Sequence, residues 1–394
     1  MNLRLLMIGG WTDIYQKAKL LGFDVTLIQK KSNIKPKDFE LVDQIFSCDL
    51  NHNMIPDLAK VLHAAKPFDA VVSFQELGLM NAAIIGDRLG IASNPKSPVL
   101  LTCNKGKMRE HLEQLDIASI PFKVSSSVAD VIGFGRQYGW PIILKPIGGT
   151  GSKQIHKLYS EDEVDSAFSS ILKDFPDIHP IAEKFIAGPE VSIEGFSWDG
   201  KHTILGVTDK ITSGAPYFVE TGHNMPSSLS PDIILAIKTM TEKFLISIGH
   251  KNGPSHTEAI VTEQGPVIIE SHTRTGGDRI FEMVELVHGV DMIGATLQGY
   301  VGDVPKINIK RESGAAIRYL TLPPGEIMSV SGLDQARESK GVVHCDIELS
   351  VGTKINASKN SNERHGYILA VGESREAAVQ NVEDAMKKVH VKVA

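Results

Sequence analysis

Two glutamates on either side of a predicted hairpin turn are the clearest indication of chemistry in this sequence. Glu258 and Glu270 flank residues 263–265. A three-residue loop there, closed by a glycine in the left-handed conformation, places them opposite each other and Ile260 opposite Ile268. Because strand side chains alternate between faces, both carboxylates then lie side by side, where they repel each other unless a cation lies between them. Magnesium takes carboxylate oxygens together with substrate phosphates, so the pair predicts a metal site. The alternative is two solvated residues at a sheet edge.

The segment after Glu270 is rich in groups that suit phosphoryl transfer. His272 continues the face of Glu270 and is a third candidate metal ligand. Arg274 would project from the same face of the strand as Glu270. There it can reach a transferring phosphoryl group or a developing oxyanion. Asp278 and Arg279 follow a pair of glycines, and they suit either the same site or a surface ion pair of little consequence.

A glycine-rich loop beside a lysine is a second candidate site. Lys145 ends a predicted strand, and the loop after it contains Gly148, Gly149, Thr150, Gly151 and Ser152. Glycines let backbone N–H groups approach a phosphate closely, and the lysine adds a positive charge. The lysine precedes the glycines, so this is not a Walker P-loop. A flexible hairpin is the alternative interpretation.

The segment that starts at Glu183 has the composition of a base-binding edge. Free backbone groups around Phe185 and Ile186 can read an adenine through hydrogen bonds, and the carboxylate of Glu190 can hold ribose hydroxyls. In isolation, the same residues make an ordinary strand and turn.

The elements that must position these groups begin with an alternation of strands and helices, which predicts a parallel sheet covered by helices. Over the first hundred residues, strands are expected at 3–8, 24–29 and 69–74, and helices at 14–21 and 55–65. Gly9 and Gly10 stand where a Rossmann phosphate loop would be. The third glycine is missing, so a tight turn is favoured over the site of a nicotinamide oxidoreductase.

Proline positions mark a boundary near Asn94, after which the chain continues with further α/β elements. Helices are expected at 102–115, 128–138, 160–173, 231–248 and 374–388. Strands are expected at 141–145, 181–185, 190–197, 315–320 and 367–371. Ser374 is the expected N-cap of the last helix. The last ninety residues are interpreted as a separate α/β unit.

Composition excludes several classes of function. The 394 residues carry a net charge of −6 with acidic and basic residues interspersed. This argues against a nucleic-acid partner, because phosphate binding leaves a face rich in Lys and Arg. No apolar run approaches the ~20 residues that span a bilayer. Cys48, Cys103 and Cys345 are scattered without metal or disulfide spacing, so a reduced, cytoplasmic enzyme that does not bind a membrane is expected.

Taken together and in this order, the clusters resemble the ATP-grasp superfamily of ligases. The resemblance covers about residues 94–300 and rests on Asn104-Lys105-x-x-Met108-Arg109, Ile143-Leu144-Lys145-Pro146 with the glycine-rich loop, Glu183-x-Phe185-Ile186-x-Gly188-x-Glu190, and Glu258 to Glu270-x-His272-x-Arg274. It implies an α/β ATP-grasp fold with a Rossmann-like N-terminal (pre-ATP-grasp) domain at 1–100. It also implies an ATP-grasp domain at 101–305, which includes a mobile lid subdomain at 122–188. A C-terminal α/β domain is expected at 306–394.

The same resemblance implies how ATP would be bound. Lys105 and Lys145 correspond to the two lysines that contact the nucleotide phosphates, and residues 148–152 to the mobile lid loop. Residues 183–186 correspond to the adenine hinge, and Glu190 to the residue that binds the ribose.

For the reacting end of the site, the resemblance implies two metal ions and an arginine. Glu258 and Glu270 would bridge two Mg²⁺ ions, for which Mn²⁺ is a substitute. Arg274 would stabilise the phosphoryl and tetrahedral species, and Lys145 and Glu270 join it as the expected catalytic residues. The family commonly has Asn where His272 stands, which leaves the role of this imidazole as a metal ligand open.

Within the superfamily, the motifs Phe218-x-Glu220-x-Gly222-His223-x-x-Pro226 and Arg-x-Gly-Gly-Asp are most similar to the bacilysin-synthetase type of L-amino-acid ligase. That resemblance implies a dipeptide formed from two free amino acids through an acyl phosphate, with release of ADP and phosphate. The expected substrate residues are Glu220, His223, Arg274, Gly276 and Gly277. Glu220 and His223 are both candidate bases for the amine. A homodimer is the default oligomer.

Two other functions stay open at this stage. A biotin-carboxylase-like ATP-grasp carboxylase would depend on bicarbonate. A nucleotide-binding protein without turnover is disfavoured, because Lys105, Lys145, Glu258, Glu270 and Arg274 are all intact.

Overall fold

The computed structural model describes residues 3–117, 119–148, 153–215, 217–309 and 313–394. Its first strands are β1 (Arg4–Ile8), β2 (Asp24–Gln29), β3 (Gln44–Ser47) and β4 (Ala70–Val72). They form a parallel sheet in the order β3-β2-β1-β4, as the alternation of strands and helices predicts. The accompanying helices are α1 (Thr12–Leu20), α2 (Asp38–Leu41), α3 (Ile55–Ala65) and α4 (Glu76–Leu89).

The glycine pair after β1 forms the predicted tight turn. Gly9 and Gly10 have φ values of +77° and +121°, which side chains rarely tolerate. A Cβ atom at Gly9 would lie 2.3 Å from the amide oxygen of Gln75, and one at Gly10 would lie 2.8 Å from the ring of Tyr15. Protein side chains therefore pack against this turn on both glycines.

A second, four-stranded antiparallel sheet follows. Its strands are β5 (Phe122–Val124), β6 (Ile142–Pro146), β7 (His156–Leu158) and β8 (Pro180–Lys184), in the order β5-β8-β6-β7. The helices of this region are α5 (Lys96–Cys103), α6 (Lys105–Gln114), α7 (Val128–Tyr138) and α8 (Val164–Asp174). Residues 149–152 of the glycine-rich loop lie outside the described residues.

The single helix predicted over 102–115 is wrong, because the chain breaks it at Asn104. Helix α5 ends one residue before Asn104, and α6 starts one residue after it. The Asn104 side chain accepts a hydrogen bond of 3.0 Å from the backbone N–H of Lys107. Asparagine is a favoured N-cap because its side chain satisfies a free N–H of the first helical turn. This cap places Lys105 at the start of α6.

The largest sheet begins with β9 (Glu190–Trp198), β10 (Lys201–Thr212), β11 (Glu220–Met225), β12 (Gly253–Thr262) and β13 (Gly265–His272). Helices α9 (Pro231–Ser247), α10 (Ile280–His288) and α11 (Met292–Tyr300) pack on these strands. The remaining strands are β14 (Gly314–Tyr319), β15 (Gly325–Ser331), β16 (Val342–Asp346), β17 (Lys354–Ile355), β18 (Tyr367–Gly372) and β19 (His390–Val393). The last helices are α12 (Leu333–Arg337) and α13 (Arg375–Met386), and Ser374 caps α13 as predicted.

Strands of the C-terminal region continue this sheet. Eight strands form it in the order β13-β12-β9-β10-β11-β14-β18-β16, so three C-terminal strands extend the central strands. Only β15, β17 and β19 form a small sheet of their own. Ile317 and Leu369 share one apolar core with Phe196 and Leu205. The sequence pattern cannot show this, because strands with both faces buried look alike whichever sheet they join.

Short 3₁₀ turns at Lys31–Asn33, Glu161–Glu163 and Ser361–Glu363 complete the described elements. Among the described residues, no helix has both the length and the apolar character needed to cross a membrane.

We expect Leu369→Ala to destabilise the whole chain and not just its C-terminal part. Leu369 is fully buried in the shared core, and such truncations cost about 2–5 kcal/mol. Urea unfolding followed by circular dichroism should show one cooperative transition that moves to lower urea. Leu235→Ala is the matched control, since Leu235 is 65% exposed. An early transition confined to part of the signal would contradict the shared core.

Candidate active site

The hairpin of β12 and β13 places Glu258 directly opposite Glu270. The turn, however, is not the predicted one: Thr262 pairs with Gly265, so two residues form the loop, and Ile260 pairs with Val267. A β-bulge next to Glu258 then inserts one extra residue in β13 and restores the predicted pairing of the glutamates. The predicted loop was therefore wrong by one residue, and the bulge compensates for it.

Glu270 is surrounded by positive groups. The Lys105 Nζ donates to its Oε1 at 2.9 Å, and the His272 Nε2 lies 2.9 Å from the same oxygen. Burial alone would raise the pKa of Glu270, but Lys105 and His272 hold it well below its usual range. The carboxylate is therefore ionised at neutral pH.

Glu258 has a different cation, Lys210 of β10. The Lys210 Nζ lies 3.1 Å from Glu258, 2.8 Å from Glu190 and 3.3 Å from Glu220. Burial would lower the pKa of Lys210, but the three carboxylates raise it well above its usual value. No sequence motif pointed to Lys210, because only the pairing of β9, β10, β11 and β12 brings these carboxylates around it.

Glu183 pairs with two buried cations, which differs from its expected role beside an adenine. The Arg109 Nε donates to its Oε1 at 2.7 Å, and the Lys145 Nζ lies 2.8 Å from its Oε2. Burial would raise the pKa of Glu183, but Arg109 and Lys145 lower it to about 2. Its side chain therefore holds Lys145 in position, which the edge-strand interpretation did not anticipate.

The rest of the expected base-binding segment lies just after β8. Phe185 and Ile186 are half-buried, and the Lys157 ammonium lies 3.5 Å from the centre of the Phe185 ring. Gly188 approaches β12 so closely that a Cβ atom there would lie 2.0 Å from the carbonyl oxygen of Val261. Only glycine therefore allows the chain to pass from β8 into β9 at this point.

The N-terminal domain contributes a residue that the sequence analysis missed. The Glu76 Oε2, at the start of α4, lies 2.8 Å from the His272 Nδ1 and accepts a hydrogen bond of 2.8 Å from the Arg274 Nε. The position after strand β4 could have indicated Glu76, since open α/β sheets bind ligands at the carboxyl ends of their strands. Arg274 itself lies in the bend after β13.

His272 faces carboxylates on both sides. Burial lowers its pKa, but Glu76 and Glu270 outweigh that effect and raise it. The imidazole lies against both carboxylates, and its assignment as a metal ligand stays a prediction.

The expected substrate residues gather around the turn between β13 and α10. Gly276 donates its backbone N–H to the Glu194 Oε2 at 3.1 Å, and a Cβ atom there would lie 2.7 Å from Glu194 Oε1. The short contact of Glu194 with His256 lies under this turn. A Cβ atom at Gly277 would meet nothing within 4 Å, so this position faces open space.

Asp278 and Arg279 do not pair with each other, which corrects one of the two interpretations of this run. The His223 Nε2 lies 3.0 Å from the Asp278 carboxylate, and Arg364 donates to the same carboxylate through both terminal nitrogens. Arg279 pairs with Glu282 instead. Asp278 is thus part of a buried network that involves the C-terminal domain.

The donor set suits a magnesium ion bound together with phosphates. Within the described ranges, no group of three or more His, Cys, Asp and Glu side chains could hold a metal ion by itself. Magnesium, however, is usually held by one or two carboxylates, with phosphate oxygens and water completing its octahedron. The opposed Glu258 and Glu270 fit that pattern, because both are ionised and on one face of the hairpin.

We predict that Glu183→Gln lowers the free energy of unfolding by about 3–5 kcal/mol at pH 7, because it leaves two buried cations without a counter-charge. A depressed folded-state pKa contributes stability that is present above the unfolded-state pKa and lost as pH falls through the folded value. The difference in the free energy of unfolding between wild type and variant should therefore shrink as pH falls below ~4.3 towards the folded-state pKa of Glu183, which is about 2.

Urea unfolding at pH 7 and pH 3 measures this gap. Glu161→Gln is the control, since it breaks an exposed pair with Arg136, which is worth about 0–1 kcal/mol. Equal effects of the two variants would contradict the proposed anchoring of Lys145.

Three family models match the chain in sequence order. They are described as an ATP-grasp N-terminal domain at residues 15–92, an ATP-grasp domain at 138–282 and an L-amino acid ligase C-terminal domain 2 at 318–394.

Two relatives illustrate the similarity. An uncharacterized protein of Sinorhizobium fredii is 25% identical over 73% of this chain, and the match covers only 60% of that relative. An L-arginine-specific L-amino acid ligase of Bacillus subtilis is 24% identical over 82% of this chain and 78% of its own length.

Solved structures share the fold over the whole chain. The L-amino acid ligase of Bacillus licheniformis has a TM-score of 0.87 at 22% identity, covering 100% of this chain and 99% of its own. A biotin carboxylase domain from Hydrogenobacter thermophilus has a TM-score of 0.78 at 16% identity, covering 100% of this chain and 91% of its own. The chain therefore has an ATP-grasp N-terminal domain, an ATP-grasp domain and an L-amino acid ligase C-terminal domain in this order, on the fold that these solved structures share.

Proposed function

We propose that the protein is an ATP- and Mg²⁺-dependent ligase that joins two L-amino acids into a dipeptide, with release of ADP and phosphate. The observation that carries this proposal is the opposed, partly buried pair of Glu258 and Glu270 next to Lys105 and Arg274. Two ionised carboxylates at this spacing need cations, and a metal-bound triphosphate supplies them.

ATP would lie between the second sheet and the hairpin of β12 and β13. Lys105 and Lys145 would contact its phosphates, while the backbone near Phe185 and Ile186 would read the adenine. Glu190 would bind the ribose. The glycine-rich residues 149–152 would close over the phosphates, but they lie outside the described residues.

The lysines would change partners on binding. Lys105 and Lys145 neutralise Glu270 and Glu183 in this structure. Magnesium, or manganese as a substitute, would shield the charge of Glu258, Glu270 and the triphosphate when bound. Lys105 could then turn from Glu270 to a phosphate without leaving a buried charge unpaired.

The first chemical step follows from these positions. One substrate carboxylate attacks the γ-phosphorus in line, which gives an acyl phosphate and ADP. Arg274, held by Glu76 through a hydrogen bond of 2.8 Å, is placed to balance charge on the phosphoryl group and then on the tetrahedral species.

In the second step, an amine attacks the activated carbonyl, and phosphate leaves. Closure of the site would exclude water, because acyl phosphates hydrolyse.

Amino acids are the proposed substrates because the expected substrate residues include groups of opposite charge, Glu220 and Arg274. Glu220 is 8% exposed and suits an ammonium group, while Arg274 suits a carboxylate. The relative from Bacillus subtilis is named an L-arginine-specific L-amino acid ligase, which supports the same substrate class. Specificity among side chains depends on a few kcal/mol of contact energy, so the particular pair is a matter for experiment.

We expect phosphate release from MgATP to require free amino acids and to be accompanied by a dipeptide mass. Glu270→Gln should lower the rate by at least about 100-fold, since it removes charge from the metal-binding pair. Glu263→Gln, on the exposed turn of the same hairpin, should leave the rate unchanged. Release that depends on bicarbonate and not on amino acids would replace the proposal with a carboxylase.

A second variant pair tests nucleotide binding. Lys105→Met should weaken ATP binding by about 10-fold or more, because a charge-assisted contact to phosphate is worth about 1.5–3 kcal/mol. Lys107→Met, two residues along α6 and exposed, is the matched control. Calorimetric titration with a non-hydrolysable ATP analogue measures both. Similar affinities in the two variants would exclude Lys105 from the nucleotide site.

A further inference from the structure

We propose that His223 accepts the proton of the attacking amine and that Asp278 and Arg364 are positioning residues that hold it for this task. The inference rests on the proposed ligase function and names the base for its second step. It also gives the C-terminal domain a direct part in the reacting end of the site, because Arg364 lies beyond β17.

The first observation is a fixed tautomer with a free nitrogen. The His223 Nε2 lies 3.0 Å from the Asp278 Oδ2, so this nitrogen carries the proton. The His223 Nδ1 is buried and has no hydrogen-bond partner among the described residues. A buried polar atom left without a partner is costly, which points to a ligand as its partner. A lone pair on Nδ1 can accept a proton from that ligand.

The second observation is that Arg364 holds Asp278 from the other side. Its two terminal nitrogens bind both carboxylate oxygens, and its Nη1 also donates to the carbonyl of Glu220 at 3.0 Å. The guanidinium lies 3.5 Å above the ring of Tyr319. Such a clamp fixes the carboxylate and the first residue of β11 together.

The third observation is backbone strain at the same place. Asp278 and Arg279 are consecutive non-glycine residues with φ of +51° and +59°. Such a conformation is uncommon for residues other than glycine and persists where the surroundings impose it. The clamp from Arg364 and the pair of Arg279 with Glu282 impose it here.

Among the two candidate bases, the structure favours His223 over Glu220. The Glu220 carboxylate is already paired with the buried Lys210 ammonium at 3.3 Å, whereas the His223 Nδ1 has no hydrogen-bond partner among the described residues. Lys210 pairs with His223 across the strands, so both face the same side of the sheet. The charged and titratable groups around His223 are Asp278, Arg364, Lys210, Glu220, Tyr319 and Arg318.

The second step forms one C–N bond, breaks one C–O bond and moves one proton to His223. The neutral amine attacks the carbonyl carbon of the acyl phosphate, and the new C–N bond gives a tetrahedral species with a positive nitrogen. One proton passes from that nitrogen to the His223 Nδ1. The bond between the former carbonyl carbon and the oxygen bound to phosphorus then breaks, and phosphate leaves with the electron pair. His223 later releases its proton to solvent.

Hydroxylamine separates this step from the first one. It is largely unprotonated at neutral pH and captures acyl phosphates without a base. We expect His223→Gln to lower kcat for dipeptide formation by about 10²–10⁴-fold at saturating amine, while hydroxamate formation from MgATP and one amino acid stays near the wild-type rate. Asp278→Asn and Arg364→Met should lower kcat for the dipeptide in the same selective way, and Arg364→Lys should recover part of it.

His63→Gln is the control, since His63 lies in α3 and only accepts a hydrogen bond of 3.0 Å from the backbone N–H of Phe68, away from this network. A His223→Gln enzyme that forms dipeptide at the wild-type kcat, or only with a raised KM for the amine, would overturn the inference. So would an equal loss of hydroxamate and dipeptide. Absence of hydroxamate and dipeptide from the wild-type enzyme would instead overturn the proposed ligase function.

Discussion

The arrangement of this site depends on one electrostatic constraint: two partly buried carboxylates, Glu258 and Glu270, face each other across a hairpin. Like charges at this spacing repel strongly in a medium of low polarity. Each carboxylate is therefore matched by its own lysine, Lys105 for one and Lys210 for the other. These lysines come from different parts of the chain, the start of a capped helix and strand β10, which lies two strands from β12 in the sheet. The fold can be understood as the scaffold that brings these cations to one hairpin.

The same constraint explains how separate domains are tied to the site. Helix α4 supplies Glu76, which contacts His272 and Arg274. The C-terminal strands extend the central sheet, and the segment before β18 supplies Arg364, which clamps Asp278. Each contact pairs charges that would be costly to bury alone. These ion pairs therefore join the N-terminal and C-terminal parts of the chain to the central sheet.

Much of the fold, but less of the site, could be predicted from the sequence. The parallel N-terminal sheet follows from local alternation, and the facing glutamates follow from their place in one hairpin, although a bulge and not the predicted loop sets their register. Lys210 and Arg364 could not be predicted, because their partners are distant in sequence, and only its position after strand β4 pointed to Glu76. Such contacts depend on the order of the strands in the sheet, and no local pattern in the sequence indicates that order. The continuous eight-stranded sheet was missed for the same reason.

The central claim is that a substrate carboxylate attacks the γ-phosphorus of ATP at this site, and an isotope transfer tests it most directly. The enzyme would be given MgATP and amino acids whose carboxylates carry ¹⁸O, and the released phosphate would be analysed by mass spectrometry. A route through an acyl phosphate gives one ¹⁸O atom in phosphate for each dipeptide formed, together with ADP. Unlabelled phosphate, or label transferred to AMP, would contradict an acyl-phosphate route.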